Sequence, residues 1–231
     1  MSLRSAFDSI LSSPKPLDQL DAWLWENLEA GVSSKRHAWN HGGFSTVETN
    51  RSGALSPKTR TVILRRVDRE FRSLDLYTDV RSAKVHQLQP SEWSSGVAAE
   101  GVGGSSCRGA NACWLFYRHS TKIQVRIEGH ATMLGFAEEQ LAWDATPLRS
   151  RAVYASIEPP GLVLPSNQPP ETGDRELSEM EAQRGRENFR VLRTTALSVD
   201  ILYLRPEGHV RARIDYGTDG QKAATAHWVV P

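Results

Sequence analysis

Arg60–Lys84 reads RTVILRRVDREFRSLDLYTDVRSAK, and the fold follows from how its apolar runs are joined. Side chains alternate between the faces of a strand, so Arg60, Val62 and Leu64 point one way and Thr61, Ile63 and Arg65 the other. The charged run DREFR reads as a turn, and SLDLYT, Ser73–Thr78, as a second strand. A turn of this length predicts an antiparallel pair, with the start of one strand beside the end of the other. Arg60 is then expected close to Thr78, Ser82 and Lys84. Two or three cations with two hydroxyls suit a phosphate monoester, because charge-assisted hydrogen bonds are short and strong. A charged hairpin end in water has the same composition, so this stretch alone leaves both readings open.

Strand patterns continue on either side. FSTVETN precedes the turn signal NRSG and the run ALSPKTRTVILRRVD, and later runs are ACWLFYR, KIQVRIEGHATML, ALSVDILYLR and HVRARIDY, with AHWVVP closing the sheet. Short strands at close intervals with few helices predict a mainly β chain with flanking helices, arranged as an antiparallel barrel. The clearest helix is Pro16–Val32, where Leu17, Leu20, Leu24 and Leu28 recur at helical spacing beside Trp23. Asp18 or Asp21 is the expected N-cap and Gly31 the expected C-cap. A second helix is expected in DRELSEMEAQRGRENFRVL, ending near Asn188. The organisation predicted is a single domain over 1–231, with a helical lead-in over 1–43, a Gly/Ser-rich insertion loop over 94–111 and a helix over 174–190.

A formal charge of +1 over 231 residues argues against bulk electrostatic binding to nucleic acid or membrane, so any anion site comes from local placement of cations. The two cysteines, Cys107 and Cys113, make neither a disulfide framework nor a zinc site. His37 and His41 stand at i and i+4 but lack a nearby carboxylate, and no metal is expected. The N-terminus is too polar for a secretory signal, which predicts a cytoplasmic, reduced protein. No G-x-S-x-G elbow, Walker loop or H-E-x-x-H motif is present, and GVGG near Gly103 lacks strand-to-helix context.

In IQVRIEG, Ile123, Val125 and Ile127 share one face, with Gln124, Arg126 and Glu128 on the other. The Gln124 amide both donates and accepts, which suits the edge of a flat heteroaromatic ring. HVRARID places His209, Arg211 and Arg213 on one face, a costly arrangement without an anion or nearby carboxylates.

RTVILRRVD, LYTDVRSAKVHQL, IQVRIEG and VRARID, in that order, resemble the pyridoxamine 5′-phosphate oxidase-like proteins of the FMN-binding split-barrel class. The lead helix, CWLFYR and ENFRVLR are most similar to its pyridoxamine 5′-phosphate oxidase-related branch. The resemblance implies a Greek-key split β-barrel and a homodimer with FMN at the subunit interface. It assigns Arg60, Thr61, Val62, Ile63, Leu64 and Arg65 to the flavin and its phosphate, continued by Tyr77, Thr78, Arg81, Ser82 and Lys84. Gln124 meets the ring, and Tyr203 and Arg213 close the site; Arg65, His209 and Arg211 are substrate-side candidates.

Departures from the pattern bear more on the substrate than on the cofactor. Ala83 takes an arginine slot of the phosphate loop, with Arg81 as a partial replacement. The positions that hold the substrate phosphate in true oxidases correspond to Ala142, Thr146 and Ser150, and EPPG near Pro159 and Pro160 replaces Gln-Ser. The expected function is an FMN-dependent oxidoreductase of a small molecule. The alternatives are a non-catalytic flavin store or sensor, an authentic pyridoxamine 5′-phosphate oxidase, and haem or a deazaflavin on the same fold. Trp114, Trp143 and Trp228 suit either a core or a dimer interface.

Overall fold

The computed structural model describes residues 3–50, 52–88, 110–165, 176–217 and 224–231. The chain opens with α1 (Leu3–Leu11) and α2 (Pro16–Ser33), followed by β1 (His41–Thr49), β2 (Leu55–Ile63), β3 (Arg66–Asp68), β4 (Ser73–Asp79) and α3 (Ala83–Gln87). After β5 (Ala110–Arg118) and β6 (Ile123–Met133) come α4 (Phe136–Ala145), α5 (Leu148–Arg151) and α6 (Glu179–Asn188). The chain ends with β7 (Phe189–Tyr203), β8 (Val210–Asp215) and β9 (Thr225–Val229). The expected insertion loop lies outside the described residues except at Ala110 and Asn111, which already belong to β5.

Hydrogen-bonded neighbours run β2-β1-β5-β6-β7-β4-β3, with β8 on β7 and β9 on β8. This overturns the expected Greek-key split β-barrel. The path has free ends at β2 and β3, and no ladder joins them among the described residues. The fold is mixed α/β, built on one large, open antiparallel sheet. A physical reason sits in β2, whose Pro57 has no N–H to give a second ladder and whose Lys58 is an edge charge.

The pairing inferred from Arg60–Lys84 is corrected too. β2 pairs along its whole length with β1, Arg60 opposite Phe44. Asn50 makes that hairpin: its Oδ1 accepts the N–H groups of Ser52 (3.0 Å) and Ala54 (2.9 Å), and Gly53 follows at φ +82°. The chain then changes partner. Leu64 donates to the Asn40 carbonyl (2.8 Å) and Arg65 to that of Asp75 (2.9 Å). Only the short β3 pairs with β4, Arg66 opposite Asp75. A nine-residue partner in β1 outcompetes the direct hairpin, so that ladder does not carry Arg60 toward Thr78.

The chain forms two compact units, one of Met1–Leu76, Asn111–Ala131 and Thr194–Pro231, the other of Tyr77–Ala110 and Thr132–Arg193. In the first, Leu20, Leu24 and Leu28 of α2 are buried as their spacing predicts. Its N-cap is Lys15, with Pro16 starting the helix, rather than an aspartate. Gly31 is no C-cap: the helix runs on to Ser33, and a Cβ at Gly31 would lie 2.9 Å from the Trp39 carbonyl oxygen. Trp114 stacks on Phe116 at 5.5 Å and donates its indole N–H to Thr194 Oγ1 (3.0 Å). Gly129 on β6 lets the β7 backbone approach, since a Cβ there would fall 2.1 Å from the Thr195 carbonyl oxygen.

The second unit packs Trp143, Tyr154, Phe189 and Val191 together, with Tyr77, Leu134 and Ala142 against them. Trp114 and Trp143 are therefore core residues, whereas Trp228 is exposed. Among the described residues no helix is long and apolar enough to cross a membrane.

Candidate functional site

The turn after β4 is shaped by Asp79, whose Oδ1 accepts the N–H of Arg81 (2.8 Å) while its carbonyl accepts that of Ser82 (3.0 Å). This folds Thr78, Ser82 and Lys84 onto one another. The two hydroxyls lie 2.9 Å apart and both are buried. The Lys84 ammonium donates to Thr78 Oγ1 at 2.9 Å and to Ser82 Oγ at 3.2 Å. Three of the residues expected at a phosphate are thus brought together within the second unit, the ammonium donating to both hydroxyl oxygens.

Arg81 takes another course. Its guanidinium donates to both carboxylate oxygens of Asp79 (3.0 and 2.7 Å) and to the carbonyls of Ser156 (3.0 Å) and Ile157 (2.8 Å). The hydrogen bond it donates to Asp79, outweighing burial, raises its pKa. The ring of Tyr77 packs edge-on against Phe189 at 5.0 Å, on the core side of the turn.

The remaining candidates belong to the first unit. Arg60 Nη1 donates to the Phe44 carbonyl (3.1 Å) and to the buried Thr46 Oγ1 (2.8 Å), and burial lowers its pKa. Thr61 and Ile63 are exposed, Val62 and Arg65 are half-buried and Leu64 is buried. On β6, Ile123, Val125 and Ile127 are buried and Gln124 and Arg126 half-buried, as the alternation predicts. Tyr203 is an interior residue, its ring 5.3 Å from Phe7 of α1, and burial raises its pKa.

The arginines of β8 have the nearby carboxylates that such a ladder needs. Arg211 binds Asp200 through Nε (2.9 Å) and Nη2 (2.8 Å), and Arg126 approaches the same carboxylate at 3.4 Å. Arg213 Nε donates to Asp215 at 2.8 Å, and His209 Nδ1 accepts the N–H of Arg205 at 3.3 Å. Arg213 and Asp215 line a cavity of about 550 Å³ together with Thr46, Cys113, Glu128 and Ser198. Burial, then Glu128, pushes the Cys113 thiol up to about 11. His37 Nδ1 accepts the Trp39 N–H (3.2 Å).

Sequence reading missed Asp79, Asp200 and Glu139. Asp79 carries an Asx-turn signal in TDVRS, and Asp200 faces Arg213 in the β7–β8 register, which becomes legible only once the ladder is known. Glu139 of α4 is buried, accepts the Val191 N–H (3.3 Å) and sees Arg190 and Arg186 at 3.8 and 3.9 Å. Desolvation outweighs these partners and raises its pKa. Of the three positions that the resemblance sets against the substrate phosphate, Thr146 is buried with its hydroxyl donated to the Ala142 carbonyl (2.8 Å), Ala142 packs on the core and Ser150 is half-buried.

An open antiparallel sheet with flanking helices defines a mixed α/β protein, and its second unit carries a hydroxyl–ammonium turn. Residues 22–135, which include that turn and Gln124, match the family described as pyridoxamine 5′-phosphate oxidase, FMN-binding domain. By that stretch the chain belongs to this family. A pyridoxine/pyridoxamine 5′-phosphate oxidase of Thermobifida fusca (strain YX) is 33% identical over 135 residues, 58% of this chain and 48% of that protein. The pyridoxine/pyridoxamine 5′-phosphate oxidase 2 of Arabidopsis thaliana is 23% identical over 141 residues, 58% of this chain and 63% of that one. The chain thus spans less than two thirds of the length of these curated relatives.

Among solved structures, a pyridoxamine 5′-phosphate oxidase-related, FMN binding protein from Nostoc punctiforme PCC 73102 superposes with a TM-score of 0.62 at 20% identity. That match covers 96% of this chain and 100% of the other. PhzG from Burkholderia lata 383, solved with tetrahydrophenazine-1-carboxylic acid, gives 0.58 at 18% identity over 97% and 96%. At these identities the likeness is one of fold.

Proposed function

We propose that this protein binds FMN and catalyses oxidation or reduction of a small molecule. The observation that carries the reading is the Thr78–Ser82–Lys84 turn, inside the stretch that matches the FMN-binding family. Its donor set fits a phosphate monoester: the ammonium supplies charge, and two hydroxyls 2.9 Å apart can rotate to donate to phosphate oxygens. When bound, FMN supplies hydride or electron transfer. The chain's own work is to hold and orient it. Lys84, Ser82 and Thr78 would bind the phosphate, and Tyr77 would stiffen the turn through Phe189.

In the first unit, Arg60–Arg65, Gln124, Tyr203 and Arg213 are carried over as residues toward FMN by the family pattern. Arg213, already neutralised by Asp215, is suited to donate a hydrogen bond to a ring rather than to anchor a phosphate. A homodimer with FMN at the subunit interface is part of the proposal, and exposed Val47, Ile63, Leu115 and Tyr117 on β1, β2 and β5 are apolar surface that a second copy could cover.

The test is to purify the protein, read its visible spectrum and titrate the apo form with FMN. Flavin bands and saturable binding, weakened in Lys84→Met, are expected; a Soret band or a colourless protein indifferent to FMN rejects the reading. A second reading, flavin binding without turnover, is favoured by the compensation of Arg211 by Asp200 and the inward hydroxyl of Thr146. Steady-state oxidation of pyridoxamine 5′-phosphate, or of any small substrate, by the FMN-loaded protein would remove it.

A further inference from the structure

Backbone carbonyls without a helix or strand partner are met by side chains or water. In the second unit, five in succession, from Tyr154 at the end of a 3-10 turn, are met by side chains. The carbonyl of Tyr154 accepts Asn188 Nδ2 (2.9 Å), that of Ala155 accepts Arg184 Nε (2.7 Å), and those of Ser156 and Ile157 accept Arg81 Nη2 (3.0 Å) and Nη1 (2.8 Å). The fifth, of Glu158, accepts Ser156 Oγ (3.0 Å). Asn188 is anchored in turn, its carbonyl accepting the Val80 N–H (2.7 Å). Immobilising the two arginines costs entropy, and with Asn188 they fix the segment from outside at four successive carbonyls. Arg81 lies between Thr78 and Ser82 in the chain, and Asp79 neutralises it with an ion pair of 2.7 Å.

We infer that Arg81 is a positioning residue: by gripping the carbonyls of Ser156 and Ile157 it fixes the segment Tyr154–Glu158 as a wall beside the Thr78–Ser82–Lys84 turn. The inference rests on the FMN reading and sharpens it. Arg81 does not replace the arginine missing at Ala83, because its charge is spent on Asp79. It acts on the organic body of the ligand through the wall, where Ile157 is exposed, and not on the phosphate. The site therefore selects a phosphate ester with an apolar or aromatic body over inorganic phosphate.

The experiment compares wild type, Arg81→Lys, Asp79→Asn and the double variant. It measures FMN affinity by fluorescence titration, inorganic phosphate affinity by competition, and hydrogen exchange across residues 154–158. Lysine keeps the charge but cannot reach two carbonyls and a carboxylate. Arg81→Lys is expected to weaken FMN roughly tenfold, leave phosphate competition unchanged and speed exchange in the wall. Asp79→Asn frees the guanidinium and should weaken FMN similarly, with the double variant no worse than either single one. The inference is overturned if Asp79→Asn tightens FMN, if Arg81→Lys weakens FMN and phosphate in parallel, or if both singles match wild type. A wild-type protein that binds no FMN overturns the functional reading as well, a result distinct from wild-type binding with indifferent variants.

Discussion

Two regions of this chain are rich in cations, and they differ in what the cations touch. After β4, the Lys84 ammonium rests on two neutral hydroxyls. On β8, Arg211 and Arg213 each meet a carboxylate at 2.8 Å, and Asp200 also serves Arg126. Hydroxyls can rotate to share an anion with the ammonium beside them, whereas a guanidinium against a carboxylate has most of its field cancelled. Counting basic residues therefore does not locate an anion site. The contrast recurs within seven residues of chain, where Arg81 is paired with Asp79 and the Lys84 ammonium donates to the two hydroxyls.

The largest test of this contrast is at the turn. Lys84→Met should weaken FMN by roughly tenfold to a hundredfold, the range for a charge-assisted hydrogen bond, and Ser82→Ala by less; titration of apo protein measures both. In the ladder, Asp200→Asn should leave FMN affinity intact but lower the melting temperature by roughly 2–4 °C, because Arg126 and Arg211 then repel. Added sulfate should restore part of the loss by screening them. Weakened FMN binding with unchanged melting would reverse the assignment of the two regions.

A smaller effect concerns Glu139, a charge whose arginines are too distant to offset burial. Its folded pKa is raised, so its contribution is full below the ordinary glutamate range and is lost as pH rises through the folded value. Urea unfolding from pH 4 to 7 should show this decline in wild type and a flatter profile in Glu139→Gln; identical profiles would count against it. The smallest effect is on Cys113. With its thiol at about 11 rather than 9.0, the thiolate fraction near pH 8 falls roughly a hundredfold. In a Cys107→Ser background, alkylation should be correspondingly slow in the folded protein and quick in urea.

Several elements were legible because their signal is local. The leucine spacing of α2, the NRSG turn and the alternation of Ile123, Val125 and Ile127 each follow from short-range geometry, and each reappears as read. The turn Thr78–Lys84 was legible for the same reason: its three polar groups lie within seven residues. The β2–β4 hairpin was misread because choice of partner is a competition, and β1 offers a ladder of nine residues. The cap of α2 was misread because Pro16 can start a helix without a side-chain cap, and Gly31 serves an approach to Trp39 rather than a helix end.

From its residues alone the chain determined its strands, its main helix, its family likeness and the composition of its phosphate-like turn, all of which depend on neighbours a few positions apart. Tertiary structure alone decided that the sheet stays open, that Asp200 and Asp79 silence Arg211 and Arg81, and that Tyr203 faces the interior against Phe7. Those outcomes rest on which distant groups meet, and charge compensation and strand pairing are properties of pairs, invisible until both partners have a place.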